Sequence, residues 1–269
     1  MVDFPVRQLV SAQQPAQRRT PFARELDMHP IVATLAANLA TGLPGHRSLN
    51  AYVLFEVPAA GGVPDLIRVA FDPAVVRRRV ELGLTPVVDH TAMRVLTAVS
   101  AGPRPLGVVA MQAAISTAHL RRTVVPALVD AGWLAPLNAR GDQTDVCPTF
   151  RHRSVVRSVV TVEVKRRDWR GAIRQARRHT SCADRAYIAI DAATPGQLLQ
   201  VAAPLSQAGI GVITVDADSS TASVVTCPAA GFPRPDEYRL IGERAWSLVL
   251  AGTDTWATFE VFGRDLTAR

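Results

Sequence analysis

The sequence predicts an α/β fold, with a mixed sheet flanked by helices and a helical unit inserted into the chain. Three observations predict it. From Arg153 onward, strand-like and helix-like segments alternate as β-α-β-α-β. Ahead of them, two short apolar strands flank a glycine-rich turn. Between these parts, from about residue 73 to 149, the chain changes to short helical runs punctuated by Gly and Pro.

Residues 1–20 are polar and rich in Gln, Arg and Pro, so loose order is expected. Phe22, Leu26, Ile31, Leu35 and Leu39 then recur at roughly helical spacing. They predict a helix over Pro21–Leu39, with Thr20 as its cap, Pro21 at its first position and Pro30 as a break. Gly42, Pro44 and Gly45 would end it. LNAYVLFEV (49–57) and DLIRVAF (65–71) read as two strands of a hairpin around AAGGVP.

In the middle stretch, Thr91–Ser100 and Leu106–Ala114 read as helices. Ser116 would cap a third, which halts at Gly132 and contains an awkward Pro126. LAPLNARGDQTDV follows as a hairpin-like segment. Three helices and a hairpin with this punctuation resemble a winged helix-turn-helix, with His119, Arg121 and Arg122 near the start of its third helix and Arg140 on its wing. Such modules contact DNA or other proteins, and both remain open. Beyond Arg153, SVVTVEV, AYIAI and IGVITVD read as strands. Asp168–Thr180 and GQLLQVAAPLSQAG read as the helices between them, and PDEYRLIGERAWSLVLAG as a last helix. That order requires a partly parallel sheet. The resulting division is 1–75 and 151–269 for the two parts of the sheet domain, and 76–150 for the insertion.

The 269 residues are 48% hydrophobic, enough to bury a substantial core. A formal net charge of +7 suits a polyanionic partner, nucleic acid foremost, although a solvated arginine-rich surface would give the same figure. The N-terminus lacks the apolar run of a signal peptide, and no segment approaches the roughly 20 apolar residues of a membrane helix, so no membrane partner is expected. Cys147, Cys182 and Cys227 lie far apart without a CxxC pair. This argues against a zinc ribbon or a disulfide framework and for a cytoplasmic, reducing compartment. Of the 30 lysines and arginines, only Lys165 is lysine. Lysine is a compact point charge with a tunable pKa, so its retention at this one position suggests that arginine would not serve there.

Lys165 ends the strand VVTVEVK. Alternation turns Val160, Val162 and Val164 to one face and Glu163 with Lys165 to the other. An acid and a base on an otherwise apolar strand need either mutual pairing or a bound cation. Phosphodiester cleavage calls for a hard cation on carboxylate oxygens and positive charge near the attacked phosphate. Asp65, Glu163 and Lys165 would supply those parts, with the Val164 carbonyl as a further metal ligand.

Pro64-Asp65 followed by Glu163-Val164-Lys165 resembles the PD-(D/E)xK nuclease superfamily, the restriction-endonuclease-like fold. The resemblance covers about residues 20–75 and 153–220, with the winged helix between the Asp strand and the ExK strand. It implies a Mg²⁺- or Mn²⁺-dependent deoxyribonuclease, with Asp65 and Glu163 on the metal, Lys165 at the reacting centre, Glu25 as the first-helix acid and Gln175 on the helix after ExK. One branch of the superfamily often carries Q-x-x-x-Y on that helix, where this chain has Gln175 and His179. Restriction, phage defence, repair or recombination would be the setting. Many members act as dimers, so a homodimer is open, although no dimer stripe is evident. Arg166, Arg167, Arg170, Arg174, Arg177 and Arg178 crowd the same helix and its approach, and suit phosphate contacts. Glu56 and Asp72 are rival acids for which surface structural roles are expected, and Asp216 and Asp218 read as loop acids. Two alternatives stay in view: a non-catalytic DNA-binding regulator or scaffold on a degenerate nuclease fold, and a nuclease acting on RNA.

Overall fold

The structure is a computed structural model that describes residues 19–39, 51–59, 61–136, 145–193 and 196–252. Its centre is a six-stranded mixed sheet in the order β1-β2-β5-β6-β7-β8. The hairpin strands β1 (Ala51–Phe55) and β2 (Leu66–Phe71) are antiparallel, and β2 pairs antiparallel with β5 (Val156–Lys165). The next two, β6 (Arg185–Asp191) and β7 (Ile210–Asp216), run parallel to β5, and β8 (Thr221–Thr226) closes the far edge antiparallel to β7. The expected parallel β-α-β-α-β core is therefore present. The edge strand β8 was not anticipated: its exposed and half-buried positions alternate and threonine and serine make up half of its six residues, so it carries little apolar signal.

Helices cover both faces. On one, Val32, Ala33 and Ala36 of α1 (His29–Asn38) join a core that also holds Val160, Val162 and Val164 of β5, which share a face as the alternation requires. On the other, α7 (Trp169–His179) and α8 (Leu198–Gln207) pack over β6 and β7, while α9 (Pro235–Leu250) brings Ile241, Ala245 and Trp246 against Ile67, Val69 and Val159.

The N-terminal helix departs from expectation. Residues 21–24 are not helical; a 3₁₀ turn, Glu25–Met28, leads into α1, and Pro30 falls in the first turn of α1, where a missing N–H is harmless. Thr20 caps nothing. Its N–H donates to Asp218, and that of Phe22 to Asp191, so the segment is tied down by acids at distant strand ends instead of coiling. The loop glycines expected to end this helix, with Leu49 and Asn50, lie outside the described residues.

Between β2 and β5 the chain first forms α2 (Pro73–Glu81), which sequence periodicity missed. Asp72 is its N-cap, accepting from the N–H groups of Ala74 and Val75 and pairing with Arg157 at 2.9 Å, so Asp72 is structural as expected. Then follow α3 (His90–Ala98), β3 (Arg104–Pro105), α4 (Leu106–Gln112), and α5 (Thr117–His119) running through a π-helical turn, Leu120–Val124, into α6 (Val125–Asp130). Ser116 caps α5 as expected. The π turn absorbs Pro126 by placing it in the first turn of a fresh α segment. This unit has its own core, including Met93, Leu96, Val109, Leu120, Leu128 and Trp133, to which Leu240 of α9 is added. β4 (Asp145–Val146) pairs with β3, and Leu134 bridges to Pro148; the tip of the expected hairpin, Arg140 included, lies outside the described residues. Among the described residues, no helix is long and apolar enough to cross a membrane.

Candidate functional site

Antiparallel pairing of β2 with β5, with Leu66 opposite Val162, carries Asp65 to the place where β5 ends in Glu163, Val164 and Lys165. Asp65 Oδ2 accepts the N–H of Val164 at 2.6 Å. The Lys165 ammonium donates to the Val164 carbonyl (2.9 Å), Glu25 Oε1 (2.9 Å) and Asp65 Oδ2 (3.4 Å). Glu25 comes from the 3₁₀ turn before α1, and its second oxygen accepts the N–H of Arg166 at 3.3 Å. Burial works against the lysine charge, but the fields of Asp65, Glu25 and Glu163 outweigh it and hold the Lys165 pKa above its ordinary value. The lone lysine therefore stands at the convergence of three separate chain segments.

Glu163 and Lys165 lie two apart on the strand but do not pair. Glu163, fully buried, turns toward α7, where His179 Nε2 lies 2.6 Å from Oε1; Oε2 has no hydrogen-bond partner. Burial, reinforced by the charge of Asp65 and opposed by His179, pushes the Glu163 pKa up to about 7. His179, at the helical position where one branch of the resembled superfamily often has tyrosine, holds the carboxylate directly. Gln175, half-buried, stands one turn earlier on the same face. The hairpin loop closes down on this helix end at Gly61, where an added Cβ would lie 2.7 Å from the backbone oxygen of Arg178.

Two further residues belong to the site. Glu56, expected on the surface, ends β1 in a left-handed backbone conformation (φ 52°) with Oε2 buried and unpartnered. Burial and the neighbouring Asp65 push its pKa to about 7. His29, buried to 7% exposure, stacks on Phe55 at 6.0 Å. Burial lowers its pKa against the pull of Asp65 and Glu25, leaving a neutral imidazole beside the acids. The sequence carried no signal for His29, since a lone histidine entering a helix is unremarkable. For Glu56, an acid ending an apolar strand two residues before a proline turn was the available hint.

The arginines divide. Arg167, Arg170, Arg174, Arg177 and Arg178 are exposed, with Arg170 lying over the Trp169 ring at 4.5 Å. Arg166 instead donates to the carbonyls of Phe22 and Ala23, binding the N-terminal segment to the end of β5. That use, set by the tertiary approach of residues 22–25, replaces the free phosphate contact expected of it. His119, Arg121 and Arg122 are exposed on the third helix of the inserted unit. Asp216 and Asp218 behave as loop acids, Asp216 accepting from local N–H groups and pairing with Arg19.

Carboxylate and carbonyl oxygens with two orphaned buried lone-pair sites are the donor chemistry of a hard divalent cation. Yet among the described residues no three His, Cys, Asp or Glu side chains are arranged to hold a metal, and the Lys165 ammonium takes up oxygens of Asp65, Glu25 and Val164.

One expectation follows from Glu56 alone. Its folded-state pKa lies above the ordinary value of 4.5, so the folded state binds the extra proton, and the associated stability is full below pH 4.5 and lost as pH rises through about 7. Glu56→Gln cannot ionise. Its stability should exceed that of the parent by a margin that grows between pH 5 and pH 8, reaching about 1–2 kcal/mol once solvent screening at a half-buried position is allowed for, and its melting temperature should rise with it. Thermal denaturation at the two pH values checks this, and a margin that does not change with pH would contradict it.

No family model matches this chain, and neither a curated protein nor a solved structure matches it.

Proposed function

We propose that the chain is a Mg²⁺- or Mn²⁺-dependent DNA endonuclease, built on a restriction-endonuclease-like core with an inserted winged helix-turn-helix. The observation that carries this reading is the meeting of Asp65, Glu163, Val164 and Lys165 at the adjoining ends of β2 and β5. Asp65, Glu163 and the Val164 carbonyl would hold the cation, with Glu56 beside them. When bound, the cation would polarise the phosphate and lower the pKa of water. Lys165 then offers an ammonium to the phosphate or to the attacking water. His179 fixes the Glu163 carboxylate from behind, and the exposed arginines of α7 meet the phosphates that flank the scissile bond. In the inserted unit, β3 between α3 and α4 pairs with β4 beyond α6, the strand order of a winged helix, and leaves His119, Arg121 and Arg122 exposed on its third helix.

A second reading has its own support. Lys165 already neutralises Asp65 and Glu25, and no three-acid cage stands assembled among the described residues. A DNA-binding regulator on a degenerate nuclease core would look the same. Incubation with plasmid, single-stranded and branched DNA, and with RNA, in Mg²⁺ or Mn²⁺ separates the two. Cleavage abolished by EDTA is the expected result, and the preferred substrate names the specificity. Salt-sensitive binding without cutting in either metal would leave the regulator.

A further inference from the structure

At the opposite end of β2 from the acids lies a cavity of about 310 Å³, at the junction of α2, Trp133 and the chain entering β5. Asp72 and Asp65 are seven residues apart on this strand, about 23 Å at the rise of an extended chain. Five arginines, Arg78, Arg79, Arg151, Arg153 and Arg157, line the cavity against one acid, Asp72. Three of the five have internal partners: Arg78 with Glu81, Arg79 with Glu243 and Arg157 with Asp72. Arg151 and Arg153 have no carboxylate partner among the described residues. Arg151 and Arg153 are exposed, with His152 buried between them, and both line the cavity. Their backbone is held firmly, because buried Arg79 donates to the Arg153 carbonyl at 2.6 Å and His152 lies 3.1 Å from Glu243. Nearby Arg239 has its pKa lowered, by burial first and then by Arg151 and Arg79. Cations are therefore crowded here, and Arg151 and Arg153 are the two left without a carboxylate partner among the described residues.

Leu82, Leu84 and Phe150 add apolar lining to the same cavity. Guanidinium forks match phosphate oxygens two at a time, and a cleft of this size falls at the small end of those that enclose small ligands. We propose that this cavity binds a nucleotide, with its phosphate between Arg151 and Arg153 and its base against Phe150 and the leucines. The nucleotide is either free or the 5′-phosphorylated end of a strand. The site is remote from the acids and does not depend on the nuclease reading.

Calorimetric titration of the full chain in EDTA, which silences any metal-dependent chemistry, tests it with ADP, inorganic phosphate, and a tetranucleotide with and without a 5′-phosphate. ADP or the 5′-phosphorylated tetranucleotide should bind in the micromolar range and at least about tenfold more tightly than inorganic phosphate. The double variant Arg151→Ala/Arg153→Ala, which changes only exposed side chains, should weaken that binding about tenfold or more. Binding of ADP assigns a free nucleotide; binding of the phosphorylated tetranucleotide alone assigns a strand end. Absence of binding by both up to millimolar concentration, inorganic phosphate binding as well as either, or binding unchanged in the double variant would each overturn the proposal.

Discussion

Lys165→Ala is expected to reduce metal-dependent DNA cleavage by about 10²–10³-fold, the usual cost of removing one preorganised charge from a reacting centre. Under the proposed function, the ammonium among Asp65, Glu25 and the Val164 carbonyl is the side-chain cation offered to the scissile phosphate beside the metal. Lys165→Arg should rescue little, because a planar fork cannot take the place of a compact ammonium that contacts three oxygens at once. On the same reading DNA binding should persist in both variants, since the exposed α7 arginines would supply it. Removing the lysine also leaves Glu25 and Asp65 without their shared cation, so rates are to be compared well below the melting temperature of each variant. Cleavage by Lys165→Ala at the parental rate would mean that the chemistry is not at this site.

The largest stability effect is expected at Glu243. Its carboxylate, fully buried, pairs with Arg79 at 2.6 Å and with His152 at 3.1 Å and accepts the N–H of Val87 at 3.0 Å. Arg79 in turn lies over the rings of Trp133 and Trp246 at 4.7 and 5.2 Å. This cluster joins α9 and α2 to the inserted unit. Glu243→Ala strands a buried guanidinium, and breaking such a pair from one side costs about 3–5 kcal/mol. At about 2–4 °C per kcal/mol for a chain of this size, the melting temperature should fall by roughly 10 °C. A fall within about two degrees would show that the pair contributes little. Burial opposes the Glu243 charge, but His152 and Arg79 outweigh it and hold the pKa below its ordinary value. The contribution is therefore present at neutral pH and lost as pH falls below about 4.5 and through the folded value. Burial also lowers the pKa of His152, which adds loss in the same direction below about 6.5.

How much of this was legible depended on range. The hairpin, the three parallel strands with their helices, the capping by Ser116 and the last helix all follow from periodicity and punctuation within a dozen residues, and the structure has them. The lone lysine, an acid two residues before it and an acid opening an earlier strand could be singled out from sequence, and antiparallel register with β5 brings them together. Polar β8 and short α2 escaped because their apolar patterns are weak. The N-terminal helix was misplaced because Asp191 and Asp218, some 170 and 200 residues away, hold the backbone of Phe22 and Thr20.

Composition and local pattern by themselves determined that this chain forms a mixed α/β sheet with a helical insertion and places an acid-rich strand end next to its only lysine. Only the tertiary structure decided what those groups do to each other. It gave Lys165 to Glu25 across 140 residues, Glu163 to His179, and Arg166 to the carbonyls of the N-terminal segment, and it drew Glu56 and His29 into the field of Asp65. The physical reason is that a strand or helix is specified by side chains a few positions apart, whereas the partner of a charge is whichever group the packed sheet carries to it. Burial then fixes how strongly the two interact.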